Sequence, residues 1–217
     1  MINRFVAEKI RDNFGFVPTA EQTEVIDLIG DFLMSRCGME LFLLRGYAGT
    51  GKTTLIGALV KILVELNQPV VLMAPTGRAA KVFSSYAGQP AYTIHKRIYR
   101  QKSITDTDTF SLNINLSKHT LFIVDEASMI SNDGLSSSTF GTGRLLDDLI
   151  QYVYSGEGCR LILLGDTAQL PPVGEEESPA LMTSLLESYG LRVYEKMLTQ
   201  VMRQLSESGI LYNATAI

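Results

Sequence analysis

Short apolar runs alternate with stretches whose apolar residues recur at helical spacing, and this alternation repeats along most of the chain. Residues 40–45, 69–74, 120–125 and 160–165 are nearly continuous in Leu, Val, Ile, Phe or Met, the pattern of strands buried on both faces. Helical spacing predicts helices over 2–13, 52–66, 77–86, 93–100, 144–154 and 179–188, and another from 19 to 36 with Thr19 as its N-cap after Pro18. Strands joined by crossover helices make an α/β fold with a mostly parallel sheet. Two polar stretches interrupt the alternation: 102–118, rich in Thr, Asp, Asn and Ser, and 131–143, rich in Ser and Gly. Both read as surface loops or a small hairpin insertion. Residues 206–217 read as a helix that stops with neither cap nor polar tail, so a longer parent chain is expected. No internal repeat is visible.

Composition narrows this picture. With 217 residues, 46% hydrophobic and 19% charged, the chain carries enough apolar material for one sizeable core, and a single domain with a helical lead-in over 1–38 is expected. Cys37 and Cys159 lie far apart and form no CxxC pair, which suggests neither a disulfide framework nor a zinc site. Arg4, Glu8, Lys9, Arg11 and Asp12 interrupt the apolar positions of the first twenty residues, so no secretory signal is seen and a cytoplasmic protein is expected. The longest apolar runs, around 41–44 and 161–164, are strand-sized, well short of the roughly 20 residues a membrane helix requires. No membrane span is expected.

A net charge of -4 argues by itself against a nucleic-acid binder, but the average hides an asymmetry. Between Leu66 and Thr105 there is no Asp or Glu, while Arg78, Lys81, Lys96, Arg97, Arg100 and Lys102 all fall there, with Tyr86, Tyr92 and Tyr99 among them. That window is a candidate face for an anionic ligand, with a chance cluster as the alternative.

The strongest chemical signal is Gly46-Tyr47-Ala48-Gly49-Thr50-Gly51-Lys52-Thr53, which satisfies G-x-x-x-x-G-K-S/T between an expected strand and an expected helix. The glycines let backbone N–H groups converge on phosphates at the positive end of the helix. In that setting Lys52 reaches the β and γ phosphates of ATP, and the Thr53 hydroxyl holds Mg2+. A second motif, Leu121-Phe122-Ile123-Val124-Asp125-Glu126, delivers two carboxylates at the C-terminal end of a strand, where ligands bind in open α/β sheets. Asp125 is expected on Mg2+ and Glu126 as the base for the attacking water. A third strand leads into Gly165-Asp166-Thr167-Ala168-Gln169-Leu170-Pro171-Pro172-Val173-Gly174. Its Gln169 amide is suited to bond the γ phosphate or the water, and the rigid Pro171-Pro172 to carry its movement onward.

Residues 46–54, through Thr54, then Ala74-Pro75-Thr76-Gly77-Arg78-Ala79-Ala80, 124–129, 165–174 and Leu198-Thr199-Gln200-Val201-Met202-Arg203-Gln204 occur in the order found in superfamily 1 DNA helicases. The set resembles most the RecD-like branch, whose members move 5′ to 3′ along single-stranded DNA, and the resemblance runs from Thr19-Ala20-Glu21-Gln22 to Arg203. It implies a RecA-like P-loop NTPase domain with helices on both faces of the sheet. It further implies that Gln22 contacts the adenine, that Gln169 couples nucleotide state to DNA, and that Arg203 contacts the γ phosphate. Thr76, Arg78, Thr93 and His95, with Lys96 beside them in the basic window, are implied to meet the DNA backbone. His95 has a second reading, a helix-start histidine bonded to a neighbouring carbonyl, and Gln22 an alternative as an exposed helix residue.

Motors of that superfamily close their ATP pocket with a second RecA-like domain that supplies another arginine. Nothing after Arg203 is long enough to encode it, so ATP binding with weak hydrolysis is expected of this chain alone. Expected partners are single-stranded DNA, the second motor domain and, by the same resemblance, other subunits of a recombination or repair complex. A regulatory ATP-binding module that needs no DNA is the alternative. A small-molecule kinase or GTPase is disfavoured, since no N-K-x-D motif and no acceptor-binding lid are evident.

Overall fold

The computed structural model describes residues 2–35, 37–101, 110–134 and 139–202. Two helices, α1 (Ile2–Phe14) and α2 (Ala20–Met34), lead into β1 (Glu40–Gly46), and α3 (Lys52–Glu65) crosses over to β2 (Val70–Ala74). The chain continues through α4 (Gly77–Ala87), β3 (Ala91–Thr93), α5 (Ile94–Ile98), β4 (Tyr99–Gln101) and β5 (Phe110–Leu112). It ends through β6 (Leu121–Val124), α6 (Leu145–Tyr154), β7 (Arg160–Gly165), α7 (Thr183–Ser188) and β8 (Arg192–Leu198). Six strands form one all-parallel sheet in the order β3-β2-β6-β7-β1-β8.

Strand alternation divides the core into two layers. On β1, Phe42 and Leu44 face the layer built by α1, α2, α3 and α4, while Leu41 and Leu43 face the layer built by α5, α6 and α7. Both faces of β6 and β7 are likewise covered, which is why those strands read as unbroken apolar runs. Residues of α1 and α2 belong to the same core as α3, so the helical lead-in packs onto the sheet rather than standing apart. Thr19 caps α2 as its position predicts: its side chain accepts from Gln22 N at 3.2 Å, and Thr19 N donates to Gln22 Oε1 at 3.0 Å. At the other end of α2 the Arg160 guanidinium donates to the carbonyls of Phe32 and Leu33, closing groups that the helix leaves open.

Four elements differ from the sequence expectation. β8 has no counterpart among the expected strands, because it is an edge strand whose exposed Arg192 and Glu195 break the apolar pattern. β3, at the opposite edge, is three residues long and falls where a helix was expected to begin. The helix expected over 93–100 shortens to α5 because the chain turns at once into β4. The one expected over 179–188 divides into a 3-10 turn at Pro179–Leu181 and α7. The polar insertion is anchored as a hairpin in which β4 pairs antiparallel with β5, and Phe110 stacks on Phe140 at 4.7 Å. The residues that join those strands, 102–109, lie outside the described set, as do 203–217. Among the described residues, no helix is long and apolar enough to cross a membrane.

Candidate functional site

The C-terminal ends of β1, β2, β6 and β7 open onto one cleft of about 990 Å³, lined among others by Ala48, Gly49, Gly51, Lys52, Thr53, Thr54, Thr76, Arg78, Asp125, Glu126, Asp166 and Gln169. All three motifs therefore converge at the sheet edge where ligands of open α/β folds sit.

The loop after β1 is held from several directions. Gly51 adopts φ +86°, where any other residue would be strained, and a Cβ there would stand 2.7 Å from Gln22 Nε2 and displace that amide. At Gly46 a Cβ would come within 2.6 Å of the Leu198 carbonyl at the end of β8. Thr50 is buried, and its hydroxyl donates to Tyr47 O at 2.9 Å. Lys52 Nζ donates to Gly46 O at 2.7 Å and Tyr47 O at 2.9 Å, so its ammonium fills the ring of the loop. Burial lowers its pKa, against the pull of Asp166, Asp125 and Glu126.

Gln22 is buried at 1% exposure, which removes the reading of an exposed helix residue. Besides closing the helix cap, its Nε2 donates to Thr50 O at 3.0 Å and so braces the phosphate loop from beneath. One amide hydrogen and one oxygen lone pair stay uncommitted by these bonds.

At the end of β6, Asp125 Oδ2 accepts from the Thr53 hydroxyl at 3.0 Å, which brings together the two side chains expected on Mg2+. Burial raises the Asp125 carboxyl, a penalty that a bound cation would offset. Mg2+ takes one or two protein oxygens and fills its shell with phosphate and water, a demand met by a paired hydroxyl and carboxylate such as Thr53 and Asp125. The residues present fit that demand.

Glu126 stands at φ +56°, a left-handed conformation that an L residue adopts only under constraint. Its Oε2 accepts from Gln169 Nε2 at 2.9 Å, while Gln169 Oε1 accepts from the Ser128 hydroxyl at 2.7 Å. Gln169 thus joins both ends of the turn after β6. Ser128 O in turn accepts from Ser178 Oγ at 2.9 Å, beyond the two prolines. Ser128 and Asp166 were legible only as parts of their motifs, with no role readable before packing placed Ser128 on Gln169 and Asp166 near Lys52.

The residues implied for DNA are less uniform. Thr76 and Thr93 cap α4 and α5, accepting from Ala79 N and Lys96 N at 3.2 Å each, a local task separate from any contact with DNA. Each hydroxyl keeps its own proton to donate. The strand ends carrying them are adjacent, since Ala74 pairs with Thr93. Arg78 and Lys96 are exposed, and Lys96 Nζ lies 5.8 Å over the Tyr92 ring. His95 differs: its ring packs edge-on against Phe140 at 5.0 Å and near Tyr99 at 5.6 Å, and burial lowers its pKa, so it presents a neutral imidazole at neutral pH. Arg203 lies outside the described residues.

A parallel sheet with a phosphate loop after its first strand and an acidic pair after β6 defines a RecA-like P-loop NTPase. The chain belongs to the AAA domain family, which matches residues 19–216, and groups with superfamily 1 helicase motor domains of the RecD-like branch. It is 32% identical to the ATP-dependent RecD2 DNA helicase of Deinococcus radiodurans over 154 residues, covering 70% of this chain and 18% of that protein. It is 28% identical to the ATP-dependent DNA helicase dda of Enterobacteria phage T4 over 173 residues, covering 74% of this chain and 34% of that one. Among solved structures it is similar in fold to the Pif1 helicase from Candida albicans, with TM-score 0.54 and 20% identity over 91% of this chain and 43% of that chain. The chain spans between 14% and 35% of the length of such curated relatives.

Proposed function

We propose that this chain is the first motor domain of an ATP-driven DNA helicase or translocase, binding ATP with Mg2+ and single-stranded DNA and hydrolysing ATP weakly without a second RecA-like domain. One observation carries the reading: the cleft that holds Lys52, Asp125 and Glu126 also reaches Thr76 and Arg78, at the start of the acid-free basic window. Nucleotide and nucleic acid would then share one edge of the sheet. The helicase names of the relatives support the same class.

Lys52 exchanges the carbonyls of Gly46 and Tyr47 for oxygens of the β and γ phosphates, a stronger charge-assisted pairing. Thr53 and Asp125, already bonded to each other, would hold Mg2+, which would supply positive charge to the transferring phosphoryl group. Glu126 accepts a proton from the attacking water. Gln169, already bonded to Glu126, senses whether the γ phosphate is present and shifts the loop of Pro171 and Pro172 accordingly. Gln22 offers its free amide hydrogen to the adenine, and Arg203 contacts the γ phosphate. Thr76, Arg78, Thr93 and Lys96 hold the DNA backbone, an interaction without sequence preference. The second domain completes the pocket with its own arginine, and opening and closing of the cleft between domains drives movement.

The test is ATP hydrolysis by the purified chain with and without single-stranded DNA, with Glu126→Gln as the control for contaminating activity. Near-background hydrolysis with intact ATP binding is expected. Robust, DNA-stimulated hydrolysis that the control loses would show that the pocket is complete without a second domain.

A further inference from the structure

Gln169 stands exposed on the turn that leaves β7, and Asp166 holds its backbone there: Gln169 N donates to the Asp166 carbonyl at 3.3 Å, and Ala168 N to Asp166 Oδ1 at 2.9 Å. The side-chain amide is bonded at both ends to the turn after β6. Its Nε2 donates to Glu126 Oε2 at 2.9 Å, and its Oε1 accepts from the Ser128 hydroxyl at 2.7 Å. The left-handed Glu126 opens a single 3-10 turn, Ala127–Met129, which Met129 N closes on the Glu126 carbonyl at 3.1 Å. That turn brings residues 126 and 128 onto one amide. Ser128 is fully buried, and its own carbonyl accepts from Ser178 Oγ at 2.9 Å, so the hydroxyl is offered from a fixed base.

We infer that Ser128 is a positioning residue: its buried hydroxyl fixes which end of the Gln169 amide faces the γ-phosphate side of the cleft. An amide turned end for end keeps its shape but exchanges two N–H donors for a lone-pair oxygen, and only the donors can hold an anion. A carboxylate only accepts, which demands that Nε2 face Glu126. The amide oxygen then falls on Ser128, whose hydroxyl can donate to it. Of the two hydrogens on Nε2, one is committed to Glu126, and the other is left for the γ phosphate or the attacking water. Without the Ser128 hydroxyl the oxygen loses its partner, and an exposed side chain regains the rotamers that turn the donor away. The α and β phosphates stay with the loop itself. This deepens the reading above and rests on its assignment of Gln169 as the sensor of the γ phosphate. The expected loss is therefore confined to the part of affinity by which Gln169 distinguishes ATP from ADP.

The experiment measures binding of ADP and of a non-hydrolysable ATP analogue, each with Mg2+, to the wild-type chain, Ser128→Ala, Ser128→Cys, Ser178→Ala, Gln169→Ala and the double variant of Ser128→Ala with Gln169→Ala. Thermal unfolding is recorded for each. Gln169→Ala should lower the ratio of analogue to ADP affinity about tenfold, the worth of one hydrogen bond to a charged group, with ADP affinity unchanged. Ser128→Ala should lower the same ratio by about threefold or more. The double variant should fall no further than Gln169→Ala alone, because both changes remove one contact. Ser128→Cys, close to serine in size but a weak donor, should unfold as wild type does and lose the ratio as Ser128→Ala does, which keeps the test decisive if the alanine variant does not fold. Ser178→Ala frees the Ser128 carbonyl but leaves its hydroxyl on Gln169, and should keep the ratio. If Gln169→Ala lowers the ratio while both Ser128 variants keep it, the hydroxyl only packs the turn, and the inference is overturned with the sensor assignment intact. If Gln169→Ala keeps the ratio, the sensor assignment falls and takes the inference with it. Additive losses in the double variant, or an equal loss in Ser178→Ala, would likewise overturn it, by showing that the turn as a whole was disturbed.

Discussion

At the scale of single residues, the site is a chain of short bonds around one carboxylate. Glu126 is held by Gln169, Gln169 by Ser128, and Asp125 by Thr53, so each acidic group has a partner before substrate arrives. Glu126→Gln should leave ATP binding unchanged, because the phosphates are held by the loop and Lys52, and, measured with the second RecA-like domain supplied, should cut steady-state hydrolysis about 10²- to 10⁴-fold, the usual worth of a general base. A second residue-scale prediction concerns pH. The Tyr189 hydroxyl donates to Asp147 and accepts from Asn132 Nδ2 at 3.2 Å, and burial first, then Asp147, raises its pKa from 10.0 to about 12, opposed by Arg144. A folded pKa above the unfolded one means stability that is fully present below pH 10 and lost as pH rises through 12. Urea unfolding across that window should show a decline in the wild type that Tyr189→Phe flattens.

Strands and helices differ in how they support the site. Leu164 sits in β7, between β6 and β1, with no exposed surface, so Leu164→Ala should cost about 2–5 kcal/mol in urea unfolding. Val193→Ala, on the edge strand and half-buried, should cost distinctly less. The same contrast explains legibility. β7 announces itself as Leu-Ile-Leu-Leu, whereas β8 mixes Arg192, Glu195 and Lys196 with its apolar residues because one side has no strand neighbour. At α4 the N-cap is part of the site, so Thr76→Ala should lower stability by about 1 kcal/mol while Thr76→Ser preserves it. Single-strand binding measured on both variants would separate the cap from any contact the hydroxyl makes with DNA.

On the scale of the whole molecule, charge distribution matters more than its sum. The net value is -4, yet Arg78 and Lys96 stand exposed in a stretch free of acidic residues. Reversing both to Glu should abolish single-strand binding at moderate salt and leave ATP binding intact, as fluorescence anisotropy with labelled oligonucleotides and nucleotide titration would show. Retained DNA binding would favour a nucleotide switch that acts on another partner. Supplying the second RecA-like domain should raise hydrolysis by about 10³ to 10⁵, the worth of a catalytic arginine in related phosphoryl transfer.

The α/β class, the central strands, the phosphate loop and the acidic pair were readable in the chain itself, because each depends on spacing within a few residues and on apolar runs that only a buried strand tolerates. Folding alone decided which distant residues meet. Gln22 braces Thr50 across 28 positions, Gln169 reaches Glu126 across 43, and Glu21 gathers Thr199 across 178. Such bonds leave no periodic trace, since the partners are brought together by the order of strands in the sheet rather than by anything local to either one. For the same reason His95 lies against Phe140 and Tyr99, and β8 exists only because β1 offers it an edge.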